Sequence, residues 1–146
     1  MPHLSDNMDN SYSLDELPKV AEEILGHLTQ HSFVTFNGEM GAGKTTLILH
    51  LLKRLGISDL EGSPTYSIIN QYDLPGQKKL YHIDAYRIKH DDEAEALGLD
   101  ELFSENAIFF VEWAEKIVNF LPERRMVVTI ETTSMNQRHY SLNYDH

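Results

Sequence analysis

Apolar positions along the chain switch repeatedly between helical and strand spacing, and the switches divide it into alternating elements. Leu17, Val20, Ala21, Ile24, Leu25 and Leu28 recur every three or four residues, which predicts a helix with one buried face. Ser13 followed by Glu16 supplies a capping-box start for it. Ser32 to Phe36 (SFVTF) reads as a buried strand, and Leu47, Ile48, Leu51, Leu52 and Leu55 return to helical spacing until Gly56. Tyr66 to Tyr72 (YSIINQY) and Lys79 to Asp84 (KLYHID) predict two strands of a hairpin around the turn signal Leu74-Pro75-Gly76-Gln77. Asp91 to Glu105 carries Glu and Leu at helical spacing with a break at Gly98. Ala107 to Val111 (AIFFV) is the continuous apolar run that a central parallel strand needs. Glu115 to Leu121 predicts a short helix closed by Pro122, and Met126 to Ile130 with His139 to Asn143 predict two final strands.

This alternation predicts an α/β fold, a three-layer sandwich around a mixed, largely parallel central sheet, with ligands at the carboxyl ends of the strands. Three polar sites fall at such ends: the loop after SFVTF, Asp84 after KLYHI, and Glu112 after AIFFV. The 146 residues suit one domain, expected over residues 13–146 behind a flexible stretch of residues 1–12, and leave no room for a second catalytic domain. The first dozen residues are polar and acidic where a signal peptide would be basic and then apolar, and no apolar run has the length to span a bilayer. A cytoplasmic location without membrane attachment is therefore expected. The absence of Cys removes disulfide frameworks, thiolate zinc sites and Cys nucleophiles, and the eight His residues form no HExxH pair. A net charge of −11 argues against direct grip on nucleic acid, which depends on many Lys and Arg contacts to phosphates.

The most informative segment is Gly38 to Thr46, GEMGAGKTT, which fits GxxxxGK[ST] between a strand and a helix. Glycines at 38, 41 and 43 allow backbone conformations that turn several N–H groups inward on a phosphate. The following helix start adds its own free N–H groups and dipole. Nucleotide contacts are therefore expected from Gly38, Glu39, Met40, Gly41, Ala42, Gly43, Lys44, Thr45 and Thr46. Lys44 would neutralise the β and γ phosphates, and Thr45 would offer its hydroxyl to Mg2+. Phosphoryl transfer asks a protein for phosphate positioning, a metal, and a group that orients the attacking oxygen. Glu112 and Asp84 compete for the metal. Glu112 is favoured because its strand is the more apolar and so the expected neighbour of the loop's strand, leaving Asp84 to orient water or act as a base. Either could instead pair with Arg87 or cap a helix. Thr65, in Ser63-Pro64-Thr65, stands where a γ-phosphate-sensing segment would place a hydroxyl on the metal. Trp113 is read equally as a nucleotide or partner flank and as packing. No NKxD-like segment for guanine is present, which favours adenine and hence ATP or ADP.

Taken in order, GEMGAGKTT, SPTYSIINQY, YHIDAYRI, LGLDELF and FFVEWAEKI resemble the bacterial TsaE (YjeE) family over most of the chain. The resemblance implies a P-loop NTPase fold and a Mg2+-dependent ATPase. Its partners would be the TsaB and TsaD proteins, in the synthesis of threonylcarbamoyladenosine on tRNAs that read codons beginning with A. It implies phosphate binding at Gly38 to Thr46, magnesium on Thr45 and Glu112, and functional roles for Thr65, Asp84 and Trp113. By the same resemblance Leu14 and Arg138 are the nearest candidates for an N-terminal segment and a late Arg that approach the nucleotide. The chain departs from the commoner family wording at Met40, Tyr66 and Ala85, none of which supplies phosphate chemistry; Ala85 would loosen packing beside Asp84. With tRNA reached only through the partners, this subunit need not be basic.

Two other readings compete. A small nucleotide-dependent kinase would need an acceptor pocket and usually a basic lid, whereas the only adjacent Arg pair, Arg124-Arg125, precedes a strand. A nucleotide-gated adaptor would use bound ATP or ADP to set partner affinity without essential hydrolysis.

Overall fold

The computed structural model describes residues 11–29, 32–39, 41–57 and 67–145. Among these, the strands are β1 (Ser11–Tyr12), β2 (Phe33–Asn37), β3 (Ile69–Leu74), β4 (Lys78–Asp84), β5 (Ile108–Glu112), β6 (Arg125–Ser134) and β7 (Gln137–Asp145). The helices are α1 (Leu17–His27), α2 (Lys44–Arg54), α3 (Asp91–Ala96) and α4 (Leu99–Leu102), with 3-10 helices at Leu14–Glu16 and Ala114–Phe120. The strands form a single mixed sheet in the order β1-β7-β6-β2-β5-β4-β3. Its centre is parallel, with β2 between β5 and β6 and β4 beyond β5, while β7, β1 and β3 add antiparallel edges.

Strand burial follows this order. β2 and β5 are almost continuously buried, as strands covered on both faces must be. β6 instead alternates: Met126, Val128 and Ile130 are buried, while Arg125, Val127 and Thr129 stay half-exposed. The cause is an unequal third layer. α1 and α2 cover one face through Ile24, Leu47, Ile48, Leu51 and Leu52, packed on Val34, Phe36, Phe110 and Val128. On the other face α3, α4 and the second 3-10 helix enclose Phe33, Ile83, Phe109, Val111, Ala94, Leu99 and Ile117, a cluster that draws no residue from β6 or β7.

Several local expectations are met for visible reasons. α1 begins with Pro18 in its first turn, behind a 3-10 turn in which the Ser13 N–H donates to Glu16 Oε1 at 2.9 Å. α2 ends at Gly56, whose φ of 101° suits a glycine stop. The β3–β4 hairpin turns through Gly76 and Gln77, both at positive φ, and Gly98 at φ 74° separates α3 from α4.

Ser11 and Tyr12, just ahead of the domain start expected at residue 13, pair with His139 and Arg138 of β7, and Tyr12 is buried. Other expectations are corrected. The strand expected from Tyr66 begins at Ile69, and Tyr66 lies outside the described residues. The helix expected at Glu115 to Leu121 is a 3-10 helix from Ala114, broken by non-helical dihedrals at Ile117. The last two strands are longer than expected because they pair with each other along most of their length. No helix among the described residues is long and apolar enough to cross a membrane.

Candidate functional site

β2 delivers the chain into the glycine loop and α2 carries it away. Gly43 adopts a left-handed conformation (φ 104°) as the residue before α2, and Gly41 is also left-handed (φ 84°). Apart from chain neighbours, a side chain at either position would meet no atom of the described residues within 4 Å, so these leave the hollow they border open. Gly38 differs, because a Cβ there would lie 2.6 Å from the Ile130 carbonyl oxygen of β6. Leu47, Ile48, Leu51 and Leu52 are fully buried, each worth about 1.5–3 kcal/mol, and they fix the helix start against the sheet. The first N–H groups of α2, which have no partner within the helix, are thereby held at the loop, an arrangement suited to an anion. Glu39 and Ala42 complete the described part of the loop, with the Ala42 N–H donating to the Glu39 carbonyl at 3.0 Å. Met40 lies outside the described residues.

Lys44, the first residue of α2, is only 5% exposed. Its Nζ lies 3.7 Å from the centre of the Trp113 ring, a cation–π contact. Burial lowers its pKa below the ordinary lysine value, and the nearby charges of Glu112, Glu115 and Asp84 oppose that shift. Trp113 itself has left-handed backbone (φ 59°), a conformation that costs an L-residue roughly 1–2 kcal/mol, and its ring also packs against Tyr86 at 5.0 Å.

The parallel register places Phe36 of β2, Glu112 of β5 and Asp84 of β4 side by side at the carboxyl edge of the sheet. Glu112 is 4% exposed, accepts a hydrogen bond from the Thr45 hydroxyl at 3.2 Å, and has His82 Nε2 at 2.8 Å from its other oxygen. Asp84 Oδ1 accepts the Tyr86 N–H at 3.1 Å, and the Ala85 N–H donates to the Glu112 carbonyl at 3.1 Å. Ala85 is fully buried within the second core cluster. A cavity of about 300 Å3 opens between these groups, lined by Lys44, Thr45, Thr46, Asp84, Tyr86, Glu112 and Trp113.

A second cavity, of about 410 Å3, lies on another side of the same loop and shares Gly41, Gly43 and Thr46 with the first. Leu14 and Arg138 line it together with Met135 and Asn136. Arg138 Nε donates to the Ala42 carbonyl at 3.1 Å and Nη1 to the Ser134 and Gln137 carbonyls, which holds its guanidinium against the loop. Leu14 is 73% exposed, an apolar side chain presented at the cavity rim.

The fold therefore gathers Lys44, Thr45, Asp84, Glu112 and Trp113 at one cavity, and Leu14 with Arg138 at the next. Thr65 lies outside the described residues. Sequence reading passed over His82 and Tyr86; the available signal for His82 was its place two residues before Asp84, on the same face of a strand. Among the described residues no group of three or more His, Asp or Glu side chains could hold a metal by itself. The hard oxygens of Thr45 and Glu112 suit Mg2+, which takes few protein ligands and completes its shell with phosphates and water.

Residues 11–140 match the family described as Threonylcarbamoyl adenosine biosynthesis protein TsaE. The chain is 35% identical over 133 residues to a tRNA threonylcarbamoyladenosine biosynthesis protein TsaE of Haemophilus influenzae, covering 90% of this chain and 84% of that protein. It is 41% identical over 105 residues to the protein of the same name from Bacillus subtilis, covering 72% of this chain and 65% of the relative. The crystal structure of YdiB from Bacillus subtilis superposes with a TM-score of 0.72 at 28% identity, covering 93% of this chain and 85% of that one. With the glycine loop set between β2 and α2 in a P-loop NTPase fold, these matches over most of its length make the chain a member of the TsaE family.

Proposed function

We propose that this chain is a Mg2+-dependent ATPase subunit required for threonylcarbamoyladenosine modification of tRNA, acting in the cytoplasm with TsaB and TsaD proteins. The observation that carries the reading is the Thr45–Glu112 hydrogen bond at the carboxyl edge of the sheet, next to a buried Lys44 and an open glycine loop. Membership of the TsaE family supports the pathway.

In this reading Gly38 to Thr46 bind the phosphates, with Lys44 moving from the Trp113 face to the β and γ oxygens. That exchange is favourable because the cation–π contact is worth about 0.5–2 kcal/mol and phosphate offers a full opposite charge. Thr45 and Glu112 would hold Mg2+, which neutralises charge on the transferring phosphoryl group. Asp84 orients the attacking water, Thr65 senses the γ phosphate, and Leu14 with Arg138 flank the adenine in the adjoining cavity. Trp113 closes the phosphate side of the site. A net charge of −11 fits a subunit that meets tRNA only through its partners.

The test is phosphate release from ATP by the chain alone and with TsaB and TsaD, repeated for Lys44→Ala and Glu112→Ala. The expected result is slow turnover alone, acceleration by the partners, and loss of more than about 100-fold in both variants, the scale of removing a charge-stabilising group. Hydrolysis-dead protein that still supported many rounds of tRNA modification would replace this reading with the nucleotide-gated adaptor. Transfer of the labelled phosphoryl group to a small acceptor would replace it with a kinase.

A further inference from the structure

We propose that His82 is the positioning residue of the metal site: its imidazole fixes the Glu112 carboxylate so that one oxygen stays turned toward Thr45. The inference rests on Glu112 acting as a metal ligand, as set out above. β4 runs parallel to β5, with His82 beside Phe110 and Asp84 beside Glu112. Residues two apart on a strand share a face, so His82 and Asp84 both project along the flank of Glu112. His82 Nε2 lies 2.8 Å from Glu112 Oε2, and the Thr45 hydroxyl lies 3.2 Å from Oε1. Each carboxylate oxygen therefore has its own partner, and the plane of the group is set by two contacts, one from strand β4 and one from helix α2.

The surroundings leave His82 as the natural holder of that second oxygen. The two side chains are 13% and 5% exposed, so water competes little for the contact. An ionised carboxylate only accepts hydrogen bonds, so the partner must be a donor. Asp84, directly opposite Glu112, is itself a carboxylate, and its Oδ1 is engaged by the Tyr86 N–H. Removing His82 leaves Glu112 beside a like charge with one oxygen unpartnered, free to turn away from Thr45. Groups that orient metal-ligating carboxylates typically account for 10–100-fold in metal affinity.

The experiment measures binding of a fluorescent N-methylanthraniloyl ADP to the full chain by anisotropy, across a Mg2+ series and in EDTA. His82→Leu deletes the donor while filling space beside Leu80 and Phe110, and His82→Gln returns an N–H of similar reach. His82→Leu is expected to raise the Mg2+ concentration for half-maximal enhancement about tenfold, with affinity in EDTA changed less than about twofold and His82→Gln close to wild type. An unshifted midpoint in His82→Leu, with a shifted one in Glu112→Ala, would overturn the role of His82 and leave Glu112 in place. An unshifted midpoint in Glu112→Ala would overturn both. Should circular dichroism show His82→Leu unfolded, His82→Asn, too short to reach Oε2, takes its place: a shifted midpoint supports the proposal and an unshifted one overturns it.

Discussion

Lys44 Nζ sits 3.7 Å above the ring of Trp113, so the lysine of the glycine loop rests on an aromatic face. Trp113 is the only tryptophan in the chain, and its emission therefore reports on this one site, where Lys44 and Tyr86 both meet the ring. Saturating ADP or ATP is expected to change the intrinsic fluorescence of the wild type, and Lys44→Ala should shift the nucleotide-free spectrum and abolish the response. A flat titration under conditions where nucleotide binding is demonstrated by calorimetry would show that Lys44 does not leave the ring.

The loop glycines should divide by phenotype. Gly38→Ala drives a methyl group against the backbone carbonyl of Ile130, an overpacking cost of about 1–3 kcal/mol that urea unfolding will detect. Gly43→Ala meets no atom of the described residues beyond its chain neighbours and adds left-handed strain of about 1–2 kcal/mol, but its methyl group enters the space that phosphate would use. It is expected to weaken nucleotide binding far more than its stability loss explains. Equal effects of both variants on binding and on stability would argue against this division.

Two carboxylates, the half-buried Glu16 and the exposed Glu93, make folding sensitive to acid. Glu16 accepts backbone and side-chain hydrogen bonds from Ser13, and Glu93 accepts the N–H groups of Lys89 and His90, which holds both pKa values below 4.5. Folded-state pKa values below the unfolded ones mean that the unfolded chain binds more protons. Their stabilisation is thus complete above pH 4.5 and is lost as pH falls through the lowered values. The double variant Glu16→Gln/Glu93→Gln should show a shallower decline of stability in urea titrations below pH 4.5, while a slope identical to wild type would exclude these two groups.

Tyr140 ties the β7 edge to α1, its hydroxyl donating to Glu23 Oε1 at 2.6 Å while its ring meets Tyr12 edge-on. Burial and the Glu23 hydrogen bond both push its pKa up. Tyr140→Phe keeps the ring contact and removes the hydrogen bond, for an expected loss of about 1–2 kcal/mol. Thermal unfolding should show the corresponding drop, and an unchanged midpoint would mean that water replaces the bond at no cost.

Much of this was legible along the chain because each signal is local. The glycine spacing, the apolar strand before it and the helical run of Leu47 to Leu55 describe one strand–loop–helix unit, and the apolar AIFFV run made β5 the expected neighbour of β2, as the pairing of Phe36 with Glu112 bears out. The 3-10 geometry after Trp113 and the reach of β6 and β7 were not legible, since they depend on packing at Ile117 and on pairing between distant strands. His82 was missed for the same reason: a histidine in a strand gains meaning only from what stands beside it.

By itself the sequence determined the alternation of elements, the phosphate-type loop and the set of polar residues at strand ends, because periodicity and glycine placement act within a few residues of one another. Only the tertiary structure decided how those residues meet. Strand order and register bring Glu112 to Thr45 and His82, leave Asp84 to the Tyr86 N–H, lay Lys44 on Trp113, and put Leu14 with Arg138 at the adjoining cavity. Apart from the local Asp84–Tyr86 contact, those pairings cross tens of residues, and the packing of a sheet between helices selects them.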